Sequence, residues 1–399
     1  MDYDLPDETV ELRRLVRSFA EEEVRPRAAE FDAKAELPMD VVHGMARLGL
    51  FGLVIPEAYG GAEADFINLC VAIEELARVD SSVAITLSAG VGLGAMPFVR
   101  FGNEEQKQAW LPPMAAGEIL GAFGLTEASG GSDAGALRTT ARSEGGDWVI
   151  DGAKSFITNA GTPISKVVCV AAITGRTEQG GKEISTICVP HGTPGFGVGR
   201  AYRKLGWRAS DTRELVFEEC RVPRANLVGR QGEGYRNFLE ILDGGRVAIA
   251  ALAVGLAQGC LEESTAYARR RTAFGREIGG YQAIQFKLAD MATRIAAARE
   301  QVYKAAWLRD RGRPFKAVAS MAKLFASEVA MDSAREAVQI HGGYGYIEEF
   351  AVARHFRDAK ILEIGEGTSE IQRMLIARDL GLPDAVPHAP APSGPPEPD

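Results

Sequence analysis

The sequence predicts an α+β multidomain protein with an all-α N-terminal domain, a central antiparallel β-barrel or sandwich, and a C-terminal helical bundle. Three observations carry this. Residues 1–121 place apolar side chains at helical spacing, residues 122–232 break into short β-favouring runs between turn signals, and residues 233–382 return to helical spacing. At 399 residues the chain has room for two or three domains. With 46% hydrophobic and 25% charged residues, it can bury cores without disulfide or metal staples.

In the first segment Leu12, Leu15, Val16 and Phe19 recur every three to four residues, and Pro26 opens a new turn after the acidic Glu21–Glu23. Asn68 to Val79 repeats this texture in residues that favour helix. In the second segment the runs Trp148–Ile150, Val167–Ala172, Ile184–Val189 and Leu215–Phe217 read as strands. Gly145-Gly146-Asp147, Gly180-Gly181 and Pro194-Gly195 separate them as turns. Strands so close together, without helices between them, exclude a Rossmann sheet. In the third segment Ile284, Leu288, Met291, Ile295, Ala298, Val302 and Ala305 alternate steps of four and three, which is bundle spacing. The Ala- and Gly-rich stretch Val247–Tyr267 supplies a close-packing neighbour. From Pro383 to Asp399 the chain is proline-rich with almost no apolar side chains, so a disordered tail is expected.

The formal charge of −9 makes the chain a poor binder of nucleic acid or anionic membrane. Its strongest basic run, Arg269, Arg270, Arg271 and Arg276, serves either as a solvated helix face or as a phosphate contact. Five scattered cysteines without a Cys-x-x-Cys pair read as buried thiols of a reducing compartment. The five histidines show no metal-ligand spacing, so no metal site is expected. The acidic start reads as neither a signal nor a transit segment, and no apolar run long enough to span a bilayer is expected. The expectation is a soluble, cytoplasmic protein.

Three segments stand out chemically. Gly124-Leu125-Thr126-Glu127-Ala128-Ser129-Gly130-Gly131-Ser132-Asp133 combines small residues and hydroxyls. Such a segment lets backbone N–H groups approach a phosphate-bearing ligand, or forms an ordinary interdomain loop. Gln339-Ile340-His341-Gly342-Gly343-Tyr344-Gly345 follows a long helical pattern, and a C-cap explains one or two of its glycines but not three. In Glu366-Gly367-Thr368-Ser369-Glu370-Ile371-Gln372, the Ser369/Gln372 pair has capping-box spacing, so a helix starts there and runs to Gly381. Glu366 then sits just outside a helix N-terminus, either as a dipole-stabilising charge or as a base beside a backbone N–H donor. Gly-x-Gly-x-x-Gly and Walker loops are absent; Gly152-Ala153-Lys154-Ser155 only superficially resembles a Walker ending.

Together and in this order, the segments resemble the acyl-CoA dehydrogenases, closest to the short-chain and short-branched-chain members. The first matches Gly-Leu-Thr-Glu-x-x-x-Gly-Ser-Asp, and the second matches Gln-x-x-Gly-Gly-x-Gly and continues through Arg354 and Asp358. Lys154-Ser155-Phe156-Ile157-Thr158-Asn159 and Arg271-Thr272-Ala273-Phe274-Gly275 also fit. The resemblance covers nearly all of residues 1–382 and implies a C-terminal four-helix bundle, a homotetramer, FAD as cofactor and an electron-transferring flavoprotein as electron acceptor.

It implies that Phe123, Leu125, Thr126, Phe156, Ile157 and Thr158 contact the flavin ring and ribityl chain. Arg271, Phe274, Gln282, Gln339, Gly342 and Gly343 would hold the rest of FAD across a subunit interface, with Thr368 and Glu370 completing the site. Ser132, Asp243, Arg246, Gly365 and Gly367 fall on the acyl-CoA side. Glu366 would remove the α proton, with its own N–H and a ribityl hydroxyl stabilising the thioester oxygen, while the β hydrogen leaves as hydride to flavin N5. Phe156 stands where many members carry Trp, which keeps an aromatic cover over the flavin but implies a different exit for electrons. Gly365 stands where straight-chain members often carry Tyr, which implies room for a branched or bulkier acyl chain. Gly245 occupies the position from which some relatives supply the base, leaving Glu366 as the candidate. An acyl-CoA oxidase on the same fold and a non-catalytic acyl-CoA or flavin scaffold are the alternatives.

Overall fold

The computed structural model describes residues 4–383, so the tail read from Pro383 onward lies, apart from Pro383 itself, outside the described residues. The first helical segment folds into α1 (Asp7–Phe19), α2 (Ala28–Lys34), α3 (Met39–Arg47), α4 (Phe66–Ala77), α5 (Ser81–Ala89), α6 (Met96–Phe101) and α7 (Glu104–Ala115). In α1 the buried member of the apolar stripe is Val16, whereas Leu15 is 47% exposed. One expectation fails here. Ser81–Phe101, which continues from α5 through a π-helical turn into α6, is long and apolar enough to cross a membrane. It is instead a core helix, with 89% of its apolar window inside the protein.

The middle segment forms β1 (Leu120–Gly124), β2 (Thr140–Glu144), β3 (Asp147–Thr158), β4 (Ser165–Arg176), β5 (Lys182–Pro190), β6 (Phe196–Ala201), β7 (Thr212–Pro223) and β8 (Leu227–Val228). The sheet order is β6-β7-β3-β2-β4-β5-β8, with β1 added alongside β4. The expected antiparallel pairing holds at most junctions, but β1 and β2 each run parallel to β4, so the sheet is mixed. Strand β1 enters from the helical domain beside β4, a non-sequential neighbour for which a hairpin cannot set the direction. Trp148, Ile150, Val168, Val170, Leu215 and Phe217 build a core of its own for this region.

The last segment contains α8 (Gly234–Ala268), a short hairpin of β9 (Thr272–Ala273) and β10 (Arg276–Glu277), then α9 (Gln282–Asp310), α10 (Lys316–His341), α11 (Ala351–Ala359) and α12 (Ser369–Asp379). Met291, Ile295, Ala298, Val302 and Ala305 are buried as their spacing predicts, joining α8, α10 and α4 in one core. Close packing of α8 on α4 depends on glycine: a Cβ at Gly255 would lie 2.2 Å from the Glu74 carbonyl oxygen, and one at Gly259 2.2 Å from that of Arg78. Five free cysteines are all buried.

A buried polar latch joins the three regions. The Asp358 carboxylate on α11 accepts from Ser81 Oγ at 2.7 Å and from the Trp207 N–H at 2.7 Å. Arg354 lies 3.5 Å from Asp80 and donates to the Val79 carbonyl. Burial and the neighbouring Asp80 push Asp358 up to about 6. The extension of the second motif through Arg354 and Asp358 thus serves domain docking.

Candidate active site

Glu366 sits between a 3₁₀ turn (Lys360–Glu363) and α12, and both Glu366 (φ 52°) and Gly367 (φ 97°) adopt left-handed backbone. A non-glycine residue there is strained and must be held by its surroundings. Three groups hold it. Thr368 Oγ1 caps α12 by accepting from the Ile371 N–H. Gln372 Nε2 and Lys323 Nζ both donate to the Gly367 carbonyl, at 2.9 and 2.8 Å. The expected capping box is therefore displaced: the cap is Thr368 rather than Ser369, and Gln372 ties down the turn before the helix.

The Glu366 residue is half-buried, yet its Oε2 is shut off from solvent and has no hydrogen-bond partner. The other two such carboxylate oxygens among the described residues, on Asp80 and Asp243, each face a cation within 4 Å. Desolvation raises Glu366 to about 7, against the opposing pull of Lys323 and Arg246. The carboxylate rests on α8 at Gly245, where a Cβ would come within 1.9 Å of Oε2. Gly245 therefore provides clearance for the carboxylate.

On the same helix Arg246 is ion-paired to Asp243, and Asp243 also faces Lys316 at 3.1 Å. Arg246 and Asp243 are both buried, and Arg246 Nε has no partner. Gly365 is not in the left-handed region, and a Cβ there would meet only Ile361 at ordinary distance, 3.5 Å. Glu370 is exposed in the first turn of α12.

Phe123, at the end of β1, packs on Phe238 of α8 with ring centroids 4.2 Å apart. Phe238 precedes Gly245 by two helical turns, roughly 10 Å. This contact brings the first signature loop to the Glu366 side of α8. The loop is clamped to β3 by a buried ion pair. Lys154 Nζ donates to Glu127 at 2.8 Å and to the Leu125 carbonyl at 3.1 Å, while Glu127 also accepts from the Arg138 N–H, the Thr139 N–H and the Thr139 hydroxyl. The Ser155 N–H donates to the Thr126 carbonyl at 2.9 Å. This clamp juxtaposes Leu125 and Thr126 with Phe156 and Thr158. Phe156 has φ 61°, is 64% exposed and stacks obliquely on Tyr202 at 5.1 Å. Leu125 and Ile157 point into cores, so only their backbones can face a ligand; Ser132 is exposed on the loop.

The remaining candidates lie elsewhere. Arg271, Gly342 and Gly343 line a cavity of about 530 Å³ with Tyr267, Ile278, His341 and Tyr344, and the Arg271 guanidinium lies 5.6 Å from the Tyr344 ring centre. A Cβ placed on Gly342 or Gly343 would meet no atom within 4 Å, so their surface is bare backbone. Phe274, 98% exposed, and the exposed Gln282 and Gln339 are not part of this lining. Along α8, Gly245 and Tyr267 are 22 residues apart, about 33 Å, so this cavity lies far from the Glu366 turn.

Sequence reasoning missed Lys323, Gln372 as a turn anchor, the Glu127–Lys154 clamp and Tyr267. Lys323 had a signal: it lies four residues after Ala319 and three before Ala326 on the buried stripe of α10.

A helical domain, a mixed sheet and a helical bundle thus accompany one carboxylate, Glu366, whose Oε2 is shut off from solvent without a hydrogen-bond partner and which is raised to about 7. Three family profiles match in order: the acyl-CoA dehydrogenase N-terminal domain over residues 6–118, the middle domain over 122–220 and the C-terminal domain over 232–381. A probable acyl-CoA dehydrogenase of Bacillus subtilis is 50% identical over 380 residues, covering 95% of this chain and all of that protein. The butyryl-CoA dehydrogenase structure from Megasphaera elsdenii superposes with a TM-score of 0.92 at 42% identity, covering 95% of this chain and 100% of that one. A chain solved in work on the electron transferring flavoprotein of Acidaminococcus fermentans gives 0.92 at 43% identity, covering 95% and 99%. This chain belongs to the acyl-CoA dehydrogenase family.

Proposed function

We propose that the chain converts a short- or branched-chain acyl-CoA to the trans-2-enoyl-CoA, with Glu366 taking the α proton. The supporting observation is the Glu366 carboxyl group: its Oε2 is shut off from water without a hydrogen-bond partner, and the group is raised to about 7. A base of that pKa is matched to neutral pH. The Glu366 N–H, presented by the left-handed turn, is the chain's donor to the thioester oxygen as charge develops there. One such preorganised donor is typically worth roughly 3–4 kcal/mol in the transition state.

The residues fit FAD. Phe156 offers an exposed aromatic face beside Thr126 and Thr158, while the bare Gly342–Gly343 backbone and Arg271 suit a dinucleotide's anionic part. When bound, FAD accepts the β hydrogen of the substrate as hydride. The 33 Å span along α8 supports a site in which one protomer supplies the Phe156 end and its neighbour supplies Arg271, Gly342 and Gly343, as in a homotetramer. Phe274, Gln282 and Gln339, exposed on the single chain, are assigned to that neighbour's contribution. Electrons then leave to an electron-transferring flavoprotein, the kind of protein that the Acidaminococcus fermentans work concerns. Peroxide release under air, in place of reduction of such an acceptor, would identify an oxidase instead.

Assembly gives one prediction. Gly343→Val meets nothing within its own chain and needs no left-handed backbone, so the isolated fold should tolerate it. FAD retention and oligomer stability should fall together, since a ligand that binds only the assembled state stabilises that assembly. Light scattering with flavin absorbance checks this. A stable monomer holding stoichiometric FAD contradicts it.

Substrate shape gives another. Gly365 needs no special backbone, so its missing side chain is best read as space. Isobutyryl-, 2-methylbutyryl- and isovaleryl-CoA should be accepted at least as well as butyryl-CoA. Gly365→Tyr should depress the branched esters selectively, by roughly 10–200-fold, the range set by one misplaced methyl. Equal losses of kcat/KM for straight and branched chains would remove the steric reading.

A further inference from the structure

Lys323 is an anomaly on α10. Its neighbours on the buried stripe are Ala319, Ala322, Ala326 and Ala330, and Lys323 itself is 0% exposed. An ammonium buried in this way is costly unless its charge is answered. Its hydrogen bond goes to the Gly367 carbonyl, a neutral acceptor. The charged groups facing it come from four elements: Glu366 from the turn, Glu363 from the preceding 3₁₀ turn, Arg246 from α8 and Glu370 from α12. Glu363 is engaged with Lys360 at 2.6 Å, Glu370 is exposed, and Arg246 has the same sign and its own partner in Asp243. The buried counter-charge left for Lys323 is Glu366.

We propose that Lys323 is the positioning residue for the base: it fixes the strained Glu366–Gly367 turn through the Gly367 carbonyl and holds the Glu366 carboxylate in its ionised, proton-accepting form. The proposal rests on the reading of Glu366 as base. Gln372 shares the mechanical part, since it donates to the same carbonyl from a fully buried position. The charge is contributed by Lys323, assisted by Arg246. Burial alone drives Glu366 toward the neutral acid, and a facing cation opposes this. When Glu366 accepts the α proton, Lys323 loses its counter-charge, so the protonated base is poised to release its proton once product leaves.

The test uses the FAD-loaded oligomer and two variants, Lys323→Met, which removes bond and charge, and Lys323→Gln, which keeps a donor without charge. Difference infrared spectra follow the Glu366 carboxyl through a pH titration without substrate, with the band assigned by its loss in Glu366→Gln. In both variants the titration should move upward by about one pH unit, the low end of the effect of a nearby opposite charge. The acid limb of anaerobic flavin reduction by butyryl-CoA should move with it. Lys323→Gln should keep more of the maximal rate than Lys323→Met, because it still anchors the turn. If Lys323→Met does not fold, the Gln variant alone decides. An unmoved Glu366 titration in a folded variant overturns the proposal, even if rates fall. Normal turnover by Glu366→Gln instead overturns the underlying assignment of the base, whatever Lys323 does.

Discussion

Glu366→Gln retains the fold and FAD but lowers kcat/KM by at least about 10²–10⁴-fold, the usual contribution of a general base. The fold is retained because Lys323, already drawn down to about 8 by burial, can shed its proton once its counter-charge is gone. The amide is nearly isosteric and occupies the same clearance over Gly245, so the turn held by Lys323, Gln372 and Thr368 stays in place. Position 245 of α8, which faces the carboxylate, lacks a side chain and cannot substitute. The wild-type pH profile carries the complementary signature. A base must be deprotonated to act, so kcat/KM should climb as pH rises through about 7, where Glu366 titrates. Glu366→Gln should lose that limb from its residual activity. Steady-state rates with an electron-transferring flavoprotein or a dye acceptor, across pH 5–9, report both effects.

Glu127→Ala should be the most damaging change to the scaffold. The carboxylate receives Lys154, two backbone N–H groups and the Thr139 hydroxyl. Although burial opposes its charge, the bonds from Lys154 and Thr139 hold Glu127 down to about 2, while burial draws Lys154 down to about 8. The pair is charged at neutral pH. The carboxylate's share of stability is present above its ordinary pKa and is lost as pH falls toward about 2. Removing Glu127 strands a fully buried ammonium, at a cost of about 3–5 kcal/mol. For a domain of this size that lowers Tm by roughly 10 °C. The signature loop should also loosen from β3, weakening FAD retention. Glu127→Gln combined with Lys154→Met should recover much of the loss, because no charge is then left unpaired. Thermal melts followed by intrinsic fluorescence and by flavin release check this; a melt within a degree or two of wild type would show that the clamp contributes little.

Much of the fold was legible because periodicity reports burial directly. Met291, Ile295, Ala298, Val302 and Ala305 announced α9, and the runs at Trp148, Val167, Ile184 and Leu215 each fell inside an observed strand. Strands β1 and β6 were not legible. β1 reads Leu-Gly-Ala-Phe-Gly and is buried throughout, so it shows no alternation, and β6 reads Phe-Gly-Val-Gly-Arg-Ala with its mostly solvent-facing residues uninformative. The parallel placement of β1 and β2 beside β4 is a long-range choice that local pattern does not encode. Ser81–Phe101 lacks charge until Arg100, and only tertiary packing decides between lipid and protein core.

The site divides in the same way. Glu366 can be found beside a helix start, since cap chemistry is local, but the sequence places the cap one residue late because Thr368 and Ser369 offer the same hydroxyl. Lys323 and Gly245 act on Glu366 from 43 and 121 residues away, so their roles emerge only when α8, α10 and the turn converge. The grouping of Arg271 with Gly342 and Gly343, and their separation from Glu366 along α8, likewise required the fold.

The central claim, that Glu366 starts the oxidation of a short acyl thioester by removing its α proton, is tested most directly by anaerobic mixing of the FAD-loaded enzyme with butyryl-CoA and its branched analogues. The wild type should lose its flavin absorbance within a single turnover, whereas Glu366→Gln should bind the same esters and keep its colour. Bleaching of Glu366→Gln at the wild-type rate, or a wild type that none of these esters bleaches, would contradict the account.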